Sequence, residues 1–276
     1  MSRRPTIRFR GNMQAVDIHI MTHNRSYSLM RTLASICQFT RCADYRVIVQ
    51  DNLSNREHRA HLKNMLGPKG THLKDKFYSC NEGRRVGLEL VDSDYVVFLD
   101  DDVRVSPGWL TELMSVMKKR DAGAVTTNIC QDGLRWESGA RIRRGCEVLH
   151  EDWGFTGNAE LCQGGATLYR TELLRKTEYR PEYNGSFEDW DQTLQITQDL
   201  GATVWGSRAN VNHVHGFESI EYAADKWRWP EIIESAIAIH DRWGIKTALR
   251  KTVETCLHQN VRIRADLWDQ IKQAEL

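Results

Sequence analysis

Apolar residues in the first hundred positions fall into short dense blocks divided by polar turns, and their spacing alternates between strand and helix periods. Ala15-Val16-Asp17-Ile18-His19-Ile20-Met21 alternates as a strand and runs into the polar turn Thr22-His23-Asn24-Arg25-Ser26, which suits a helix start. A helix is predicted over 28–39, with Leu29, Leu33 and Ile36 on one face. Tyr45-Arg46-Val47-Ile48-Val49-Gln50 reads as a second strand, ending at Asp51-Asn52-Leu53-Ser54. A helix over 55–65, a short strand over 76–79, a loop at Asn81-Glu82-Gly83 and a helix over 84–91 lead to a third strand over 95–99. Strand, helix and strand in this order open a parallel sheet, so the expected class is α/β.

The third strand ends abruptly in Asp100-Asp101-Asp102. Three adjacent carboxylates repel one another, and oxygen ligands of this type suit a hard cation such as Mg²⁺ or Mn²⁺. Ligands of open α/β sheets bind beyond the carboxyl ends of the strands. That rule gathers Asn24, Asp51, Asn81 and the triplet around one crevice. Farther on, Ser106-Pro107-Gly108-Trp109 opens a helix carrying Leu110, Leu113, Met114 and Met117, and 122–165 reads as strands and long loops. Phe187-Glu188-Asp189-Trp190-Asp191 precedes a helical stretch over 192–200, where acids also serve simply to complement the helix dipole. Asn212-His213-Val214-His215-Gly216 offers two imidazoles as nitrogen ligands, or as structural histidines. From 220 onward the pattern is mostly helical, with tryptophans at 227, 229, 243 and 268.

Composition narrows the partners. The 38 basic and 37 acidic side chains leave a net charge of +1, which gives no general field for nucleic acid or an anionic membrane, although 2–10 and 141–144 are locally basic. Seven scattered cysteines without a Cys-x-x-Cys pair argue against a zinc site or a disulfide framework and for a reducing compartment. No secretory leader or spanning run is visible, so a cytoplasmic protein, peripheral at a membrane at most, is expected.

The order of these features is more specific than any one of them. Thr22-His23-Asn24-Arg25, the strand ending Val-Ile-Val-Gln-Asp-Asn-Leu-Ser, Asn81-Glu82-Gly83, the acidic triplet, Gln163-Gly164-Gly165-Ala166, Glu188-Asp189, the histidines and Asp241-Arg242-Trp243-Gly244 together resemble the inverting glycosyltransferases of family 2 over about residues 15–245. The resemblance implies a GT-A fold, a Rossmann-like sandwich with a mostly parallel central sheet. It also implies a catalytic domain over 1–219, with a donor half over about 15–105 and an acceptor half over about 106–219, and a helical C-terminal extension over 220–276.

By the same resemblance, a nucleotide sugar, expected to be a UDP-sugar, is the donor, and Mn²⁺ or Mg²⁺ is the cofactor. Asp102 is the principal metal ligand, Asp100 faces the ribose or the metal, His213 or His215 completes the shell, and Asp101 stays ambiguous within the triplet. Thr22, Asn24, Arg25, Asp51 and Asn81 line the donor pocket, and Arg84 or Arg85 meets the diphosphate. Asp189 is the general base, supported by Glu188, because inversion needs a carboxylate to take the proton of the attacking hydroxyl. Gly164, Gly165, Trp190 and Asp191 fall on the acceptor side. The acceptor itself is an unidentified hydroxyl on a glycan, a lipid-linked sugar, a small molecule or a modified nucleic acid, and a homo-oligomer is open. Competing readings are a nucleotidyltransferase, which would want a glycine-rich phosphate loop absent at 22–26, and a non-catalytic nucleotide- or glycan-binding protein of the same fold.

Overall fold

The computed structural model describes residues 7–9, 16–41, 44–67, 71–73, 76–131, 134–137, 139–143, 147–150, 154–183, 186–214, 228–259 and 261–274. His215, Gly216 and the start of the C-terminal stretch at 220–227 lie outside the described residues.

The chain opens with β1 (Ile7–Phe9), β2 (Val16–Thr22), α1 (Ser26–Phe39), β3 (Tyr45–Asp51), α2 (Arg56–Leu66) and β4 (Thr71–Leu73). Next come α3 (Cys80–Leu88), β5 (Tyr95–Asp100), β6 (Val103–Val105) and α4 (Trp109–Arg120). The middle holds β7 (Ala124–Gln131), β8 (Leu134–Glu137), β9 (Ala140–Arg143), β10 (Glu147–His150), β11 (Asn158–Ala159), β12 (Ala166–Arg170) and α5 (Thr171–Leu174). A 3₁₀ turn at Pro181–Tyr183, α6 (Glu188–Leu194) with a π turn at Gln195–Asp199, β13 (Val204–His213), α7 (Trp229–Trp243), α8 (Lys246–His258) and α9 (Ala265–Gln273) complete it.

The architecture is α/β around a mixed sheet in the order β1-β3-β2-β5-β12-β7-β13-β11. β4, β3, β2 and β5 run parallel, as do β7 and β13, and β12 is inserted antiparallel between β5 and β7. β5 explains its own composition. Val97 and Leu99 enter the core shared with α1 and α4, while Val96 and Phe98 enter the opposite core shared with Leu88, Leu174 and Ile196. A strand covered on both faces reads as a continuous apolar run rather than an alternation. Truncating one such side chain, as in Leu99→Ala, costs about 2–5 kcal/mol.

Two expectations are corrected. No strand forms over 76–79, and the loop expected at Asn81-Glu82-Gly83 is the first turn of α3. Ser79 is the reason, because its side chain accepts from the Glu82 N–H at 3.1 Å and starts the helix early. Gly83 serves contact rather than a turn: a Cβ would lie 2.2 Å from Met21 Sδ, so without one α3 settles onto β2 with the Met21 side chain undisturbed.

The C-terminal helices are not a loose appendage. Ile239, Ile245 and Ala248 share a core with Leu161, Tyr183, Trp190 and Leu194, and α7, α8 and α9 bury a further core of their own.

Candidate active site

The parallel register aligns Met21 with Asp100 and Thr22 with Asp51, so β2, β3 and β5 end on one edge of the sheet. The triplet turns from β5 into β6 there. β13 runs antiparallel to β6, with His213 opposite Val103, and the Val214 N–H donates to the Asp102 carbonyl at 3.0 Å. This brings His213 Nε2 to 3.1 Å from Asp102 Oδ1. Among the described residues, Asp100, Asp102 and His213 form a group whose ligand atoms lie within 4.8 Å of one another. Two carboxylates and an imidazole are a donor set suited to Mn²⁺ or Mg²⁺, with the imidazole favouring the transition metal.

The structure divides the triplet. Asp101 turns inward, accepting from Thr22 Oγ1 at 2.6 Å and from Arg25 Nη1 at 2.9 Å, while its backbone carbonyl accepts from Thr32. Arg25 also reaches Asp102 Oδ2 at 2.6 Å. Burial and the charges of Asp102 and Asp100 push the Asp101 carboxyl up to about 7, against Arg25 and Thr22. Burial works in the same direction on Asp102, but hydrogen bonds and charge from His213 and Arg25 outweigh it and hold Asp102 below the usual carboxylate range.

The second acidic cluster faces the first across a cavity of about 640 Å³. Phe187, at φ +64°, adopts a left-handed conformation rare for a bulky residue and turns the chain so that α6 starts with Glu188 and Asp189. Its ring packs against Trp190 with centroids 5.1 Å apart. Asp189 accepts from the Gly164 N–H through Oδ2 and from the Trp190 N–H at 2.9 Å through Oδ1. Burial and the neighbouring Glu188 charge push Asp189 up to about 7, with Arg84 and the two backbone donors pulling the other way. Gly164 and Glu188 line the cavity and Asp189 sits behind them. Gly165, at φ +98°, places a virtual Cβ 3.4 Å from Asp100 Oδ2, and its carbonyl accepts from the Asp100 N–H at 2.9 Å.

Thr22, Arg25, Arg84, Asp100, Asp101, Asp102, Gly164, Glu188 and His213 all line this cavity. Several expected residues do not. Asp51 is wholly buried, its carboxylate held by Arg59 Nε at 2.9 Å and the Ser54 N–H at 3.3 Å. Asn24 spends its side chain on the Asn55 N–H, and Asn81 donates to the Arg180 carbonyl. Arg85 is exposed on the outer side of α3 near Glu82. Trp190 is a core residue, and Asp191 is buried under Trp243 and Gln195. All but the exposed Arg85 are held by partners within the protein, and none is among the residues lining the cavity.

Sequence reasoning missed much of the lining. His23 packs edge-on against Phe77 at 5.0 Å, and with Asn52 and Tyr78 they line the cavity near β2 and β3. Pro181, Glu182 and Ser186 also line it, together with Arg228, Glu231 and Glu234, whose place follows from packing α7 against the 3₁₀ turn and not from any local motif. No helix of the described residues is long and apolar enough to cross a membrane.

Comparison with known proteins agrees with this geometry. Over 126 residues the chain is 31% identical to a chondroitin synthase of Escherichia coli, a stretch that is 45% of this chain and 18% of that protein. The structure of GalNAc-T7 with UDP, GalNAc and Mn²⁺ superposes with a TM-score of 0.63 at 15% identity, covering 84% of this chain and 48% of that one. S. aureus TarS 1–349 in complex with UDP-GlcNAc superposes with a TM-score of 0.62 at 14% identity, covering 94% of this chain and 79% of that one. The chain therefore spans about a fifth of the chondroitin synthase and about half of the GalNAc-T7 chain. Residues 17–177 match the sequence profile of glycosyl transferase family 2. With more than half its length inside that profile and a GT-A fold around the acidic cavity, the chain belongs to glycosyl transferase family 2.

Proposed function

We propose that this protein transfers a sugar from a UDP-sugar to a hydroxyl acceptor with inversion, using a divalent cation at the acidic triplet and Asp189 as the general base. The observation that carries the reading is the division of one cavity between two groups: Asp100, Asp102 and His213 on one wall, and Glu188 with Asp189 behind Gly164 on the other. Both GalNAc-T7 and TarS were solved with UDP or a UDP-sugar, which supports the choice of donor.

A cation held by Asp100, Asp102 and His213 would act as a Lewis acid on the departing diphosphate. The chain's own residues supply the rest. Arg25 and Thr22 hold Asp101 and thereby keep the turn that carries the ligands in place. The Gly164 and Trp190 N–H groups orient the Asp189 carboxylate, whose raised affinity for a proton suits a base operating near neutral pH. Catalytic hydrogen bonds commonly tighten only once substrate is bound, consistent with Asp189 sitting one step behind the cavity wall in the free protein. Pro181, Glu182, Ser186 and Glu231 of α7 line the same cavity and are the proposed acceptor side, which would make the C-terminal helices part of the catalytic unit.

A thermal-shift screen of nucleotide sugars with and without Mn²⁺ tests the reading, followed by release of UDP from the donor that stabilises most. Metal-dependent stabilisation and turnover are expected. Absence of any metal-dependent nucleotide binding would overturn the proposal, and tight binding without turnover under any acceptor would favour a binding module.

A further inference from the structure

Arg84 lines the cavity between its two acidic groups. It sits on the inner face of α3, with its side chain only 8% exposed and its guanidinium carbon 5.8 Å from the centroid of the Phe98 ring. Nη1 donates to Glu188 Oε1 at 2.8 Å, and Nη2 donates to Asp100 Oδ1 at 3.3 Å. A methyl at Gly164 would touch both Asp189 Oδ2, at 3.0 Å, and Arg84 Nη2, at 3.8 Å, so the guanidinium borders the Gly164–Asp189 pair as well. Although burial pulls the other way, the surrounding Cys80, Glu188, Asp100 and Asp189 hold its pKa well above the ordinary arginine value. One guanidinium thus stands among an acid of the metal group and both acids of the α6 start, residues separated by about ninety positions in the chain.

We infer that Arg84 is a positioning residue that holds the Glu188–Asp189 turn against the metal-binding wall, rather than a ligand of the donor diphosphate. Each of its Nη groups already donates to a carboxylate, and its guanidinium carbon lies over the Phe98 ring. Of the two, the Asp100 contact is the longer, and Asp100 is the more exposed partner, its side chain 37% accessible against 12% for Glu188. A cation entering the site competes for Asp100 alone and leaves the Glu188 bond standing. Arg84 therefore opposes metal binding weakly while keeping the base turn seated, and its removal should separate donor affinity from turnover.

This inference rests on the proposed function, and the experiment separates the two. Wild type, Arg84→Met and Arg84→Lys are compared by titration with UDP in the presence of Mn²⁺, by UDP release from the donor found in the screen, and by hydrogen exchange of the ligand-free proteins. For Arg84→Met the expected result is an unchanged or tighter affinity for UDP with Mn²⁺, a kcat at least tenfold lower, and faster exchange over 186–194 with the β5 amides unaffected. Arg84→Lys keeps one charge without the fork and should recover part of the lost kcat. Combining Arg84→Met with Glu188→Gln should cost less than the product of the two single losses, because the variants break the same link. Weakened UDP binding in Arg84→Met would make Arg84 a donor ligand and overturn the inference, as would additive losses or unchanged exchange over 186–194. Failure of the wild type to bind UDP with Mn²⁺ would instead overturn the underlying function, while the exchange comparison would still decide what Arg84 holds.

Discussion

Trp243 donates its indole N–H to Asp191 Oδ1 at 2.7 Å, fastening the last turn of α7 to the helix that begins with Glu188 and Asp189. Asp191 is 2% exposed and also accepts from Gln195 Nε2 at 2.6 Å, with Arg242 Nε 3.5 Å away. The acidic motif is therefore anchored from behind by the C-terminal helices while its front faces the cavity.

Trp243→Phe keeps the ring and removes the N–H. A hydrogen bond to a buried carboxylate contributes about 1.5–3 kcal/mol, so the variant should lose that much in denaturant titration. An unchanged midpoint would mean that Arg242 and Gln195 satisfy Asp191 without it.

Asp189→Asn should lower turnover by about 10²- to 10⁴-fold, the usual contribution of a general base, with UDP and Mn²⁺ binding retained. In the wild type, kcat/KM should rise with pH through about 7, because the base form of Asp189 appears only as its proton leaves there. Stability runs the opposite way. The folded protein holds this proton to about 7 while the unfolded chain releases it near the ordinary value of 3.8, so the contribution of Asp189 is fully present below that value and is lost as pH rises through 7. A flat rate profile from pH 5.5 to 8.5 would remove Asp189 from the base role.

Asp102→Asn and Asp101→Asn should differ in both metal response and stability. The first should abolish the Mn²⁺-dependent thermal shift with UDP and also cost about 3 kcal/mol without metal, because it leaves Arg25 and His213 facing a neutral amide. The second should keep the Mn²⁺ response and cost less, because the Asp101 carboxyl already holds its proton up to about 7 and Arg25 keeps Asp102. Equal loss of metal response in both would contradict the division of the triplet.

Gly164→Ala and Gly165→Ala should differ in kind. A methyl at Gly164 lies 3.0 Å from Asp189 Oδ2 and should displace the carboxylate, lowering turnover by about 10²-fold with a small stability cost. At Gly165 the φ of +98° is closed to side chains, and about 1–3 kcal/mol of stability should be lost. Thermal denaturation beside UDP release distinguishes them.

The strand ends at Thr22, Asp51 and Asp100 were legible because strands buried on both faces leave unbroken apolar blocks, and the ligand rule for α/β sheets does the rest. The order of motifs pointed to Asp100, Asp102 and Glu188-Asp189, which the fold brings to one cavity. What order could not supply was side-chain direction. Asp51, Asn24, Asn81 and Asp191 stand beside the site in sequence and topology, yet each is consumed by a partner met only on packing: Arg59, the Asn55 N–H, the Arg180 carbonyl and Trp243. The same limit concealed Phe77, Arg228, Glu231 and Glu234, which reach the cavity through contacts between distant elements. Gly83 misled for a related reason, since a glycine that permits close approach looks the same in sequence as one that permits a turn.

The insertion of β12 has a mechanical consequence. Ala166 pairs with Leu99, and this single rung sets Gly165 against Asp100 and Gly164 against Asp189. The separation of Asp100 from Asp189 is thus set by one hydrogen-bonded ladder at the middle of the sheet. A one-residue slip of β12 would turn every side chain of the strand to the other face. In the proposed transfer, therefore, the separation of cation site and base would be set by strand register and not by the loops that follow.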